Sequence, residues 1–196
     1  MNIHHALLAL FGSIFAMPLH AQAPAGNPAI IAPDTPGAEV GRAGPHSNAA
    51  DQTFVREAAL GGRAEVETAR LAEQRASSPE VKDFARRMLA DHSKANDALM
   101  PLAKTNAIPL PKELDMDHQV MRSQLNGLKG GAFDQGYLRA QIMDHQKTAQ
   151  LLEYEIGAGQ SERIKSYAAS TLSTVLDHLD HAQRLLAQLT EAGYRG

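Results

Sequence analysis

Residues 81–99 read VKDFARRMLADHSKANDAL. Val81, Phe84, Ala85, Met88, Ala95 and Leu99 recur at steps of three and four, and Leu102 extends the series. That period puts them on one stripe of an α-helix, which must pack against other apolar surfaces. One polar residue sits in the stripe: His92 projects about 30° from its mean direction. Ser78 and Pro79 start the helix as N-cap and first-turn residue, and it runs to about Lys104. The stretch therefore predicts a bundle helix and poses a question, since an imidazole stands where a leucine would pack.

The same reading predicts three more long helices. The first runs from about Asp51, taken as its N-cap, to Ala76, with Phe54, Ala58, Gly61, Ala69 and Ala72 on one face and Glu65 near its middle. The third, about Ala132 to Ile156, carries Leu138, Ile142, Ala149, Leu152 and Ile156, with His145 central. Gly157 and Gly159 are stop signals and Ser161 caps the fourth helix, which runs to about Thr190. That helix has Ile164, Thr171, Val175, Ala182, Leu185, Leu186 and Leu189, with His178 on the flank. Between the pairs lie IPLPKE, a shorter helix near Glu113 to Leu128, and GLKGG. Two helical hairpins joined by a long crossover make an all-α four-helix bundle.

Composition narrows the function. The chain has 196 residues, 43% hydrophobic and 21% charged, with a formal net charge of -3 and no cysteine. Absent thiols exclude thiolate metal sites, disulfides and cysteine nucleophiles. The charge leaves no electrostatic footprint for nucleic acid, and no basic cluster suits anionic lipid. The start, MNIHHALLALFGSIFAMPLHAQA, reads as a signal peptide of residues 1–21, with 23 as the alternative end. Residues 22–50 are Pro-, Gly- and Ala-rich and read as a disordered tether. The bundle is assigned to 51–191 and a tail to 192–196. No later segment is long and apolar enough to span a membrane. The expectation is a soluble periplasmic protein whose partner is another envelope protein or a second copy of itself.

Each of the five histidines after residue 50 follows an aspartate: 91–92, 117–118, 144–145, 177–178 and 180–181. Helical directions separate them. His92, His145 and His178 fall on or beside apolar stripes, whereas His118 lies on the crossover helix and His181 off the main stripe. Glu65 is 13 residues before Ser78 and His92 is 14 after it. His145 is 15 before Gln160 and His178 is 18 after it. All four stand near mid-helix, so one residue from each helix converges if the hairpins are in register. Three imidazoles and a carboxylate suit Zn, Cu or Fe. The alternative is an Asp–His and Glu–His hydrogen-bond network without metal. Asp144 points about 100° from His145, so an aspartate serves a neighbouring helix rather than its own histidine. Asp91 is the best such partner, as a second-shell carboxylate. Met88, Met100, Met116, Met121 and Met143 read as core filler rather than copper ligands. Glu57, Glu67 and Glu73 read as solvated, and Gly61-Gly62 as a close helix approach or as room beside Glu65.

Several stretches resemble a known family: DQTFVREAALGGRAEVETARLA, VKDFARRMLADHSKANDAL, IPLPKEL, LNGLKGGAFDQGYL and LDHLDHAQRLL. From Asp51 to Leu189 the chain is similar to the exported bacterial family called domain of unknown function 4142, placed among ferritin-like bundles. The resemblance implies a ferritin-like fold and a periplasmic setting, and supplies no activity. Di-iron members of that fold use Glu-x-x-His on two helices. Here Leu89, Ile142 and Val175 stand three residues before the histidines, which argues against ferroxidase or oxygenase chemistry. With no nucleophile motif or phosphate loop, no catalytic residue is assigned. Two functions follow: a non-catalytic metal-binding protein using Glu65, His92, His145 and His178, or a structural, stress-related envelope module built on a polar core.

Overall fold

The computed structural model describes residues 47–194; the signal peptide and most of the tether lie outside them. Among the described residues there are five helices: α1 (Ala49–Arg75), α2 (Pro79–Thr105), α3 (Met116–Gly127), α4 (Gly130–Ala158) and α5 (Glu162–Tyr194). None is long and apolar enough to cross a membrane. Hairpins α1–α2 and α4–α5 pack side by side, α1 against α4 and α2 against α5, with α3 laid over α4 and α1. The crossover returns the chain along the bundle, so α4 runs parallel to α2.

The helix ends follow their capping chemistry. Asn48, not Asp51, is the N-cap of α1. Its side chain accepts the Asp51 N–H, and Asp51 accepts the Asn48 N–H in return, a reciprocal capping box. The bundle therefore begins before the predicted boundary at 51. Ser78 caps α2 as expected, and Asp115 caps α3. Gly130, at φ 57, opens α4 two residues before the predicted start, in a backbone region glycine enters at little cost.

Two buried aspartates lock the hairpins together. Asp51, on α1, accepts from the backbone N–H groups of Gln160 and Ser161 at 3.1 and 3.0 Å, in the turn before α5. Asp134, on α4, accepts from those of Ser77 and Ser78, both at 2.9 Å, in the turn before α2. Each hairpin thus closes the turn of the other, which fixes the axial register that the sequence leaves open. Both aspartates are at most 1% exposed.

The apolar core falls into two clusters. One gathers Phe84, Met88, Phe133, Tyr137, Leu138 and Leu185 near the α1–α2 turn. The other gathers Phe54, Leu99, Leu102, Leu152, Ile164 and Val175 toward the opposite end. Each such side chain stabilises the fold by roughly 1.5–3 kcal/mol. Along the helices, buried Glu65, His92, Gln141, His145 and His178 fall between these clusters. At Gly62 a Cβ would stand 2.0 Å from Asn96 Oδ1, so a larger residue there would push the Asn96 amide aside.

Candidate metal centre

His178 rises from α5 and is 1% exposed, deeper than the flank position its stripe predicts. Its Nε2 lies 2.9 Å from Asp91 Oδ2 on α2. The carboxylate can only accept, so Nε2 carries the proton and Nδ1 keeps a bare lone pair. Asp91 is thus the cross-helix partner expected of it, and Arg87 holds it from one turn earlier at 3.4 Å. His145 repeats the arrangement within α4. Its Nδ1 donates to the Gln141 carbonyl at 3.0 Å, which leaves Nε2 bare. His92 Nε2 is likewise buried without a partner, as are His145 Nε2 and His178 Nδ1.

The three rings form a nearly equilateral triangle, with centroids 5.4, 5.4 and 5.5 Å apart. One nitrogen from each lies within 4.8 Å of the others. Burial pushes the His92 pKa down to about 3, helped by the neighbouring His145 and His178. Burial, then His178, brings His145 to about 4. Burial also lowers His178, against the pull of Asp91. All three rings are therefore neutral at pH 7, the form in which imidazole binds metal. A cavity of about 250 Å³ between α2 and α5 reaches His92 and His178, with Asp91, Lys94, Tyr167 and Thr171 on its walls.

Glu65 stands apart from this triangle. Its carboxylate groups with Asp144 and His145 rather than with His92 and His178, 3.7 Å from His145 Nδ1. Glu65 is 2% exposed, and neither oxygen accepts a hydrogen bond from a protein donor. Burial, then the charge of Asp144, raises its pKa well above the usual range. Burial opposes ionisation of Asp144 too, yet hydrogen bonds from His118 and Glu65 hold that carboxyl at about 2. His118 Nε2 is 3.5 Å from Asp144 Oδ1, and its Nδ1 is 2.7 Å from Asp115 Oδ1.

Sequence reasoning missed Asp144 and ranked His118 as peripheral. The 100° that separates Asp144 from His145 aims it between α1 and α3, and no periodicity places α3 there. The spacing of Asp115 and His118, one turn apart with Asp115 at the cap, was the available signal. His181 is peripheral as expected, its ring edge against Phe84 at 5.1 Å. Met88 belongs to the core, while Met100, Met116 and Met143 are exposed.

A helical bundle with a buried histidine triangle defines the class. The sequence profile described as "Domain of unknown function (DUF4142)" matches residues 37–185, and the chain belongs to that family. No curated protein matches the chain. Among solved structures, a DUF305 fragment from Deinococcus radiodurans is 12% identical, with TM-score 0.66 over 72% of this chain and 98% of its own. A DUF305 protein from Streptomyces coelicolor, described there as secreted, is 16% identical, with TM-score 0.63 over 72% of this chain and 92% of its own. CopM in its Cu(II)-bound form is 17% identical, with TM-score 0.61 over 70% of this chain and 96% of its own. At these identities the likeness is one of fold.

Proposed function

We propose that this is an exported, non-catalytic protein that binds one transition metal ion through His92 Nε2, His145 Nε2 and His178 Nδ1, with copper the leading candidate ahead of zinc and iron. One observation carries the reading: three buried, neutral imidazoles each bring one nitrogen within 4.8 Å of the others. In two of them the tautomer is set by an acceptor on the far nitrogen. That makes His145 Nε2 and His178 Nδ1 acceptors, and the single His92 ring cannot supply a donor to both. A cation answers all three, at metal–nitrogen distances near 2.0–2.1 Å after a small inward shift of the rings. Asp91 then acts as the carboxylate behind a metal-bound histidine.

The choice of copper draws on the donor set, since imidazole suits Cu, Zn and Fe, and on the Cu(II)-bound and Ag-bound CopM structures, which share the fold. Export draws on the predicted signal peptide and on the neighbour described as secreted. The test is elemental analysis of tag-free mature protein after exposure to Cu, Zn and Fe. The expected result is one equivalent in the wild type and a loss of at least 100-fold in affinity in His178→Ala. Metal well below stoichiometric in the wild type would leave the polar-network reading, in which His145→Ala lowers stability and changes no metal content.

A further inference from the structure

The carboxylates of Glu65 and Asp144 raise a separate question. They come from different helices, α1 and α4, and lie with a nitrogen of His145 inside a 4.8 Å circle. Two carboxylates this close cannot both ionise without a cation between them. Glu65 is almost wholly buried and its two oxygens receive no hydrogen bond from a protein donor. On the outer side Asp144 and His118 line a cavity of about 530 Å³ under α3, bounded also by Glu57, Asp115, Asp117 and Lys147. That cavity is separate from the one that reaches His92 and His178. The two clusters share His145, and Glu65 and His92 also line one small cavity of about 40 Å³.

We infer that Glu65 and Asp144 form a second cation site, entered from the cavity under α3 and distinct from the histidine triangle. Its donors are the two carboxylate oxygens, completed by water from the cavity. The cation replaces the Glu65 proton, which passes to solvent, while His145 keeps its Nδ1 proton on the Gln141 carbonyl and stands beside the site. Carboxylate oxygens with water suit Mg²⁺, Ca²⁺ or Mn²⁺, whereas imidazoles suit copper, zinc or iron. His118 closes the outer side, held by Asp115 and turned toward the oxygen of Asp144 that faces the cavity. The bundle so read holds a soft and a hard position on opposite sides of one imidazole ring.

Mn²⁺ is the probe, because it binds imidazoles far more weakly than copper does and the six-line EPR signal of the free ion is lost on binding. The wild type and His178→Ala should each bind one Mn²⁺. Asp144→Asn and Glu65→Gln should each weaken it at least 10-fold while circular dichroism shows the helices intact. Two carboxamide variants are used so that one that misfolds leaves the other to decide. Copper content of the same samples reads the triangle independently, so His178→Ala should lose copper and keep manganese. Absence of Mn²⁺ binding in the wild type would overturn the inference and leave a proton shared between the two acids. Mn²⁺ retained in both carboxamide variants would overturn it, as would Mn²⁺ lost in His178→Ala.

Discussion

The bundle buries polar groups at its ends and in its middle, and it treats them differently. At the ends, Asp51 and Asp134 each accept backbone N–H groups from the opposite hairpin's turn. Burial opposes the Asp51 charge, but those donors still hold its pKa below the ordinary value. In the middle, His92 Nε2, His145 Nε2 and His178 Nδ1 have no hydrogen-bond partner in the protein. A buried polar group costs several kcal/mol unless it is matched. Asp51 and Asp134 are matched and serve the fold. The imidazole nitrogens stay unmatched within the chain, and that leaves them free for a ligand.

Removing an end clamp should have the largest effect on stability. Asp51→Ala strips the acceptor from the Gln160 and Ser161 amides and from the α1 capping box, and should cost about 3 kcal/mol. Urea unfolding checks this. A loss under 1 kcal/mol would break the contrast between matched and unmatched groups.

Acidification should come next, in metal-free protein. His92 and His145 have folded pKa values of about 3 and about 4, below the usual 6.5. As pH falls below 6.5 the unfolded chain takes up protons that the fold refuses, so stability drops between about pH 6.5 and 4. The loss between pH 7.5 and 5 should be about 2 kcal/mol for each of the two histidines. Glu155 has the opposite sign. Burial, then Asp51, raises its pKa from 4.5 to about 8, so its contribution is present below 4.5 and is lost as pH rises through 8. Glu155→Gln should therefore remove the loss between about pH 4.5 and 8 and make the fall through the histidine window steeper.

The support behind the triangle should matter less than its members. Asp91→Ala frees the His178 ring to turn and lowers its basicity, and should weaken copper binding about 10-fold, measured by competition with a chelator. His181→Ala should be smallest: no change in metal content and about 0.5 kcal/mol of stability, since the ring only edges Phe84. A large copper loss in His181→Ala would mean the triangle has been drawn around the wrong histidine.

Much of this was legible before any fold. Stripe periodicity located His92 and His145 in the interior, and helical geometry sent Asp91 across to another helix, where it meets His178. The α4 face was harder. Asp134, Gln141, His145 and Glu155 are all buried there among Tyr137, Leu138 and Leu152. A face so rich in polar groups does not show up as an apolar stripe. Ile156, assigned to the core by period, is only partly buried, while Glu155 is buried in its place.

By itself the sequence determined the helices, the cap at Ser78, the hairpin pairing and the three interior imidazoles. Those depend on spacing within one helix, which a 3.6-residue period carries. Tertiary structure alone decided that Glu65 joins Asp144 and not the triangle, that His118 reaches Asp144, and that Asp51 and Asp134 clamp the far turns. These contacts join residues from different helices. They depend on axial register and on where the crossover helix lies, and no repeat within a single helix encodes either.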